Sequence, residues 1–177
     1  MDAQAKNETE GAPTKNRTTA ERTSEREMVV TRSFIAPRRI VFDAWTRPEL
    51  LKRWWAPKSA GISFVSCEAD VRTGGTYRFV FSHPASPEPM AFFGRYIEAT
   101  PPARLVWTNE EGGEEGPVTT VTFEERGTET LVVVRDVYPS KEALDAAIAS
   151  GAAGGFNEEM FGQLDDMLSS LPANAGR

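Results

Sequence analysis

Apolar residues change their spacing twice along this chain. Between Ile62 and Tyr138 they alternate with polar residues, in ISFVSCEADV, TYRFVFS, AFFGRYIEA, RLVWTN, VTTVTFEE and TLVVVRDVY, and that is the period of strands. An earlier strand is expected in MVVTRSFIAP, where Val30, Arg32 and Phe34 alternate with Val29, Thr31, Ser33 and Ile35. Two short helices follow it, PRRIVFDAWT opening on Pro37 and PELLKRWW opening on Pro48, with Pro57 closing the second. Past Pro139 the spacing is helical again. Ser140 is a suitable N-cap for KEALDAAIAS, and Gly151 interrupts that helix. Phe156, Met160, Leu164, Met167, Leu168 and Leu171 then form one apolar stripe, with Pro172 and Gly176 as stop signals. A run of strands with helices at both ends is an α+β pattern. The antiparallel sheet needs one face covered, and the terminal helix carries the largest stripe, so the sheet should curve around it.

The 177 residues are enough for one domain. Residues 1–27 hold no aromatic and no branched aliphatic residue, so they read as a disordered polar tail; 28–171 read as the folded domain and 172–177 as a second tail. A net charge of −6 argues against nucleic acid as a partner. No apolar run approaches the roughly 18 residues of a membrane span, so no membrane is expected and the cytoplasm is the default location. Cys67 is the one cysteine and His83 the one histidine, which leaves neither a metal site nor a disulfide to expect. Cys67 shares a strand phase with Val65, Ala69 and Val71 and reads as a small buried hydrophobe.

Adjacent Trp54 and Trp55 pose a question, because neighbouring helical positions point about 100° apart. Either the two rings cap the core from opposite sides, or one anchors the helix and the other borders a ligand space. Tyr77, Phe79 and Phe81 share one phase and should point inward, leaving Arg78 outside. The strand carrying Arg95 has aromatics on both faces, and its phase stays open. Arg135 shares a face with Leu131, Val133 and Val137. A concave face there would give it an anion to bind; otherwise it snorkels or faces solvent. Asp70 and Arg72 read as an ion pair beside the Gly74-Gly75 turn, and Glu98 and Asp136 as carboxylates with no dyad partner.

VFDAWTRPELLKRWWAP resembles the START-related SRPBCC superfamily, and within it the family named for the activator of the heat-shock-protein-90 ATPase. DVRTGGTYRF, GRYIEATPPARLVWT and SGAAGGFNEEMFGQLDDML extend the resemblance in the same order, over roughly 28–171. It implies the helix-grip fold, a curved antiparallel sheet around a long C-terminal helix with a cavity between them. Non-enzymatic binding of a small hydrophobic molecule follows as the expected function. Trp55, Phe79, Phe81, Arg135, Phe156 and Met160 are its expected contacts, with no cofactor and no catalytic residue. The family name offers a second partner, a chaperone, and related folds offer a third reading, a cavity enzyme such as a cyclase. Either a monomer or a homodimer is compatible.

Overall fold

A computed structural model describes residues 18–56, 58–111, 116–150 and 158–171. Eight strands form one open antiparallel sheet: β1 Thr19–Arg22, β2 Glu27–Phe34, β3 Ser63–Ala69, β4 Thr76–Ser82, β5 Met90–Thr100, β6 Arg104–Thr108, β7 Val118–Arg126 and β8 Glu129–Val137. Their spatial order is β1-β2-β8-β7-β6-β5-β4-β3. The chain crosses from β2 to the far edge through helices α1 (Arg38–Thr46) and α2 (Pro48–Trp54), then returns strand by strand until β8 pairs with β2. Helices α3 (Lys141–Ser150) and α4 (Glu158–Ser170) follow. This is the α+β helix-grip architecture that the periods and the resemblance imply.

The polar stretch up to Glu27 is not tail throughout. β1 lies inside it, pairing Thr19–Arg22 against Met28–Thr31 with all four side chains exposed. Polar bonds hold it: the Thr18 amide donates to Glu158 Oε1 (3.1 Å), and Arg22 pairs with Asp145 of α3 (2.8 Å). A count of apolar residues could not register such a strand. Residues 1–17 and 172–177, together with Pro57, Gly151 and Phe156, lie outside the described residues.

The concave face carries the core. Val30 and Phe34 of β2, Val132 and Val134 of β8, Val121 and Phe123 of β7, and Leu105 of β6 are essentially inaccessible to water. α1 buries Ile40, Val41, Ala44 and Trp45 as one face, and Phe42 packs on Phe123 besides (ring centroids 5.2 Å). α4 buries Met160, Leu164, Met167 and Leu168, and also Phe161, which stands edge-on to Phe34 at 5.4 Å. Ser140 caps α3 by accepting the Ala143 amide (3.0 Å).

Arg32 is the exception on that face. Its guanidinium is buried, donates to Asp165 of α4 (2.7 Å) and to the Thr18 hydroxyl (3.0 Å), and lies over the Phe34 ring. It therefore ties β1, β2 and α4 together. Asp165→Ala leaves this cation buried without its short partner and should cost roughly 2–3 kcal/mol, while Arg32→Met with Asp165→Leu should recover most of that. Urea midpoints check it; a single variant no worse than the double would remove the structural role.

The open phases resolve as follows. Phe92, Gly94 and Tyr96 point inward on β5, and Arg95 points outward to Glu110 (2.8 Å). In β3 a bulge between Phe64 and Ser66 inserts one residue, so Val65 is 60% exposed while Phe64 and Cys67 both pack on the core. The expectation that Val65 shares the inward phase is thus corrected, because a bulge reverses the alternation at that point. Burial raises the Cys67 thiol to about 11, in keeping with a packing role. The Asp70–Arg72 pair is an exposed ion pair (2.9 Å), and Arg78 is exposed as expected.

Candidate functional site

Gln163 of α4 sets one wall of the interior. Its amide nitrogen donates to the carbonyls of Trp54 (3.1 Å) and Ala56 (3.0 Å), and its oxygen accepts the Lys58 amide (2.8 Å). Ser59 is held in the same way, its amide and hydroxyl both donating to Glu159 (2.9 and 2.6 Å). The segment leaving α2 is therefore clasped to α4, and the two tryptophans separate there. Trp54 is fully buried, its indole N–H donating to the Ala44 carbonyl (2.9 Å) and its ring against Trp45 (4.9 Å). It anchors α2 to α1 and α4. Trp55 is half-buried and turns to the sheet, 5.2 Å from Phe79 and 6.4 Å from Trp107.

Beside Trp55 lies a cavity of about 500 Å³, within the range of ligand pockets. Its apolar walls include Trp55, Ile62, Phe81, Trp107 and Met160, and Ala147 of α3 stands on the opposite side. Exposed Met90, Phe92 and Glu111 mark the side open to solvent. Trp55, Phe81 and Met160 are thus brought together as the sequence suggests. Phe79 is not in this cavity; it lines a neighbouring space of about 30 Å³, room for about one water molecule, with Trp45, Tyr77 and Tyr96. Phe156 lies outside the described residues.

Arg135 is a correction. The concave phase of β8 is Thr130, Val132, Val134 and Asp136, so Arg135 points to the convex side, half exposed, 3.7 Å from Glu27. Its neighbour Asp136 enters the cavity instead. There it receives the Thr119 hydroxyl hydrogen, and Thr119 in turn accepts from the Asn109 amide (3.0 Å). Asn109 also donates to the Pro117 carbonyl (2.8 Å). Burial, opposed only by the Thr119 hydrogen bond, raises Asp136 to about 6. Tyr138, on the same wall, is pushed up to about 12 by burial and then by the nearby Asp136 charge.

Close backbone approach shapes this wall. A Cβ on Gly94 would stand 2.2 Å from the Thr108 carbonyl oxygen, which also accepts the Tyr77 hydroxyl (2.7 Å). Gly94→Ala must push β6 away just before Asn109, and should cost roughly 1–3 kcal/mol. A thermal midpoint equal to that of the wild type would show that β6 yields freely.

Trp107, Asn109, Thr119 and Tyr138 are site residues that the sequence pattern does not single out, and Asp136 stands in it only as a carboxylate without a dyad partner. β8 is apolar on both faces, so its own pattern cannot say whether Arg135 or Asp136 faces in. Neighbouring β7 could have decided it, since Thr119, Val121 and Phe123 are its inward phase and Thr119 pairs with Asp136. Among the described residues no three of His, Cys, Asp and Glu gather as metal ligands, and no helix is long and apolar enough to cross a membrane.

An open curved sheet gripping a C-terminal helix defines a helix-grip protein, a fold consistent with a ligand-binding or cofactor module. The sequence profile described as "Activator of Hsp90 ATPase homolog 1-like protein" matches residues 35–169, and the chain belongs to that family. Similar solved structures include a Rhodobacter sphaeroides protein, 27% identical with a TM-score of 0.78, the match covering 88% of this chain and all of that one. A Chromobacterium violaceum protein is 28% identical, with a TM-score of 0.63 over 80% of this chain and 96% of its own. An AHSA1-like protein from Aeromonas hydrophila, 17% identical over 79% and 95% with a TM-score of 0.61, shares the fold. No curated protein matches.

Proposed function

We propose that this protein binds a small, largely apolar molecule in the cavity beside Trp55, without chemical change to it. The observation that carries the reading is an apolar space of about 500 Å³ interrupted on one wall by the hydrogen-bonded string Asn109–Thr119–Asp136. Apolar walls supply affinity, and a few placed polar groups fix orientation. Trp55, Phe81 and Met160 retain their expected roles as contacts; Trp107 and Asp136 join them.

Native mass spectrometry of the purified protein, followed by solvent extraction, tests this directly. A discrete extra mass, lost when Met160→Trp fills the cavity, is the expected result. A wild-type protein that carries nothing and takes up no member of an apolar ligand panel would overturn it. The family's name supports a second reading, stimulation of an Hsp90-type ATPase, which the protein surface rather than the cavity would carry. ATP turnover by such a chaperone, unaffected by Met160→Trp, would favour that reading.

A further inference from the structure

The polar wall of the cavity has a direction. Both hydrogens of the Asn109 amide are engaged, one by the Pro117 carbonyl and one by Thr119, and the Thr119 hydroxyl hydrogen goes to Asp136. Each donor along the string is thus turned toward the protein, and the string ends on a carboxylate. Among the described residues lining the cavity there is no lysine, arginine or histidine, whereas Asp136 and Glu111 are both acidic. Arg135 lies on the convex side near Glu27, Arg95 is outside with Glu110, and Arg26 donates to the Pro139 carbonyl (3.4 Å). Among the described residues Asp136 has no ion-pair partner, and no nearby cation offsets its burial. Aromatic residues Trp55, Phe81, Phe92, Trp107 and Tyr138 make up much of the remaining lining.

We propose that the ligand is a cation: a protonated amine or related nitrogen base on an apolar or aromatic body, its charge placed against Asp136. The inference rests on the ligand-binding reading above and adds the sign of the ligand's charge. A nitrogen cation supplies the counter-charge that Asp136 lacks together with a hydrogen-bond donor to its carboxylate, and ring faces attract cations rather than anions. A fatty or aromatic acid meets the opposite situation, since its carboxylate would be buried beside a like charge with no cation to receive it. Glu111 at the exposed side adds a weaker, screened attraction.

Three ligands of one skeleton separate charge from hydrophobicity: 1-naphthylmethylamine, 1-naphthalenemethanol and 1-naphthoic acid. Each is titrated calorimetrically at pH 7.5 and 150 mM salt into the wild type, Asp136→Asn and Glu111→Gln. We expect the wild type to bind the amine roughly tenfold or more tightly than the alcohol, and the acid least. Asp136→Asn should bring amine and alcohol to within about threefold of each other, and exposed Glu111→Gln should weaken the amine by about twofold. An acid bound as tightly as the amine, or an amine preference that survives Asp136→Asn, overturns the inference. Alcohol binding without amine preference leaves the ligand-binding reading standing and removes only the charge. Failure of all three to bind the wild type removes both.

Discussion

Asp136→Asn is expected to make the protein more stable at neutral pH and no more stable in acid. The buried carboxyl titrates near 6 in the folded chain against 3.8 when unfolded. Below 3.8 both states hold the proton and the site is neutral to folding. As pH rises toward 6 the unfolded chain ionises first, so stability falls, and above 6 the full cost is present. At 1.36 kcal/mol per unit the cost is roughly 3 kcal/mol. Only the Thr119 hydroxyl from β7 and the Tyr138 phenol face this group among the described residues, and neither supplies positive charge. The amide should therefore raise the thermal midpoint by roughly 5–10 °C at pH 8, with the gap closing by pH 3.5. Midpoints of both proteins across that range check it, because ionisations they share cancel in the difference. A gap independent of pH, or a less stable variant at pH 8, would refute the assignment of a burial penalty to this carboxyl.

Trp54→Ala and Trp55→Ala should differ sharply although the residues are adjacent. Trp54 has no accessible surface and its indole hydrogen bond holds the end of α1, so its removal should cost about 4 kcal/mol. Trp55 is half-buried and edges a space already empty, and its loss should cost about 2 kcal/mol or less. Ligand affinity should move in the other order, falling with Trp55→Ala while a folded Trp54→Phe retains it. Chemical denaturation gives the first comparison and calorimetric titration the second. Equal costs for the two alanine variants would mean that both rings serve only the core. The geometry instead assigns one ring to architecture and the other to the cavity.

Much of this fold is legible in the order of hydrophobic periods. Strands β2 to β8 and all four helices fall where alternation and stripes put them, because each buries a face large enough to leave a pattern. What escaped notice left no such pattern. β1 is four exposed residues fixed by main-chain pairing and by Thr18, Arg22 and their distant partners. The β3 bulge is one residue long and reverses the phase at Val65 without any change of composition. Phe161 sits next to a stripe that already looks complete. The cavity was readable in part, through Trp55, Phe81 and Met160. Its polar wall was not, because Asn109, Thr119 and Asp136 lie on three successive strands or their ends and become one string only when β6 pairs with β7 and β7 with β8.

That pairing has a consequence for how such a pocket could change its tastes. Asp136 stands opposite Thr119 and Met28, while Arg135 stands opposite Thr120 and Val29, one step along the same strand. Successive strand residues face opposite sides, so sliding β8 by a single position would exchange a carboxylate for a guanidinium on the concave face of the sheet. The electrical polarity of the interior is thus a matter of alignment and not of composition. A one-residue insertion or deletion in the β7–β8 turn, at Gly127, is a short route to reversing the sign of the charge on that face.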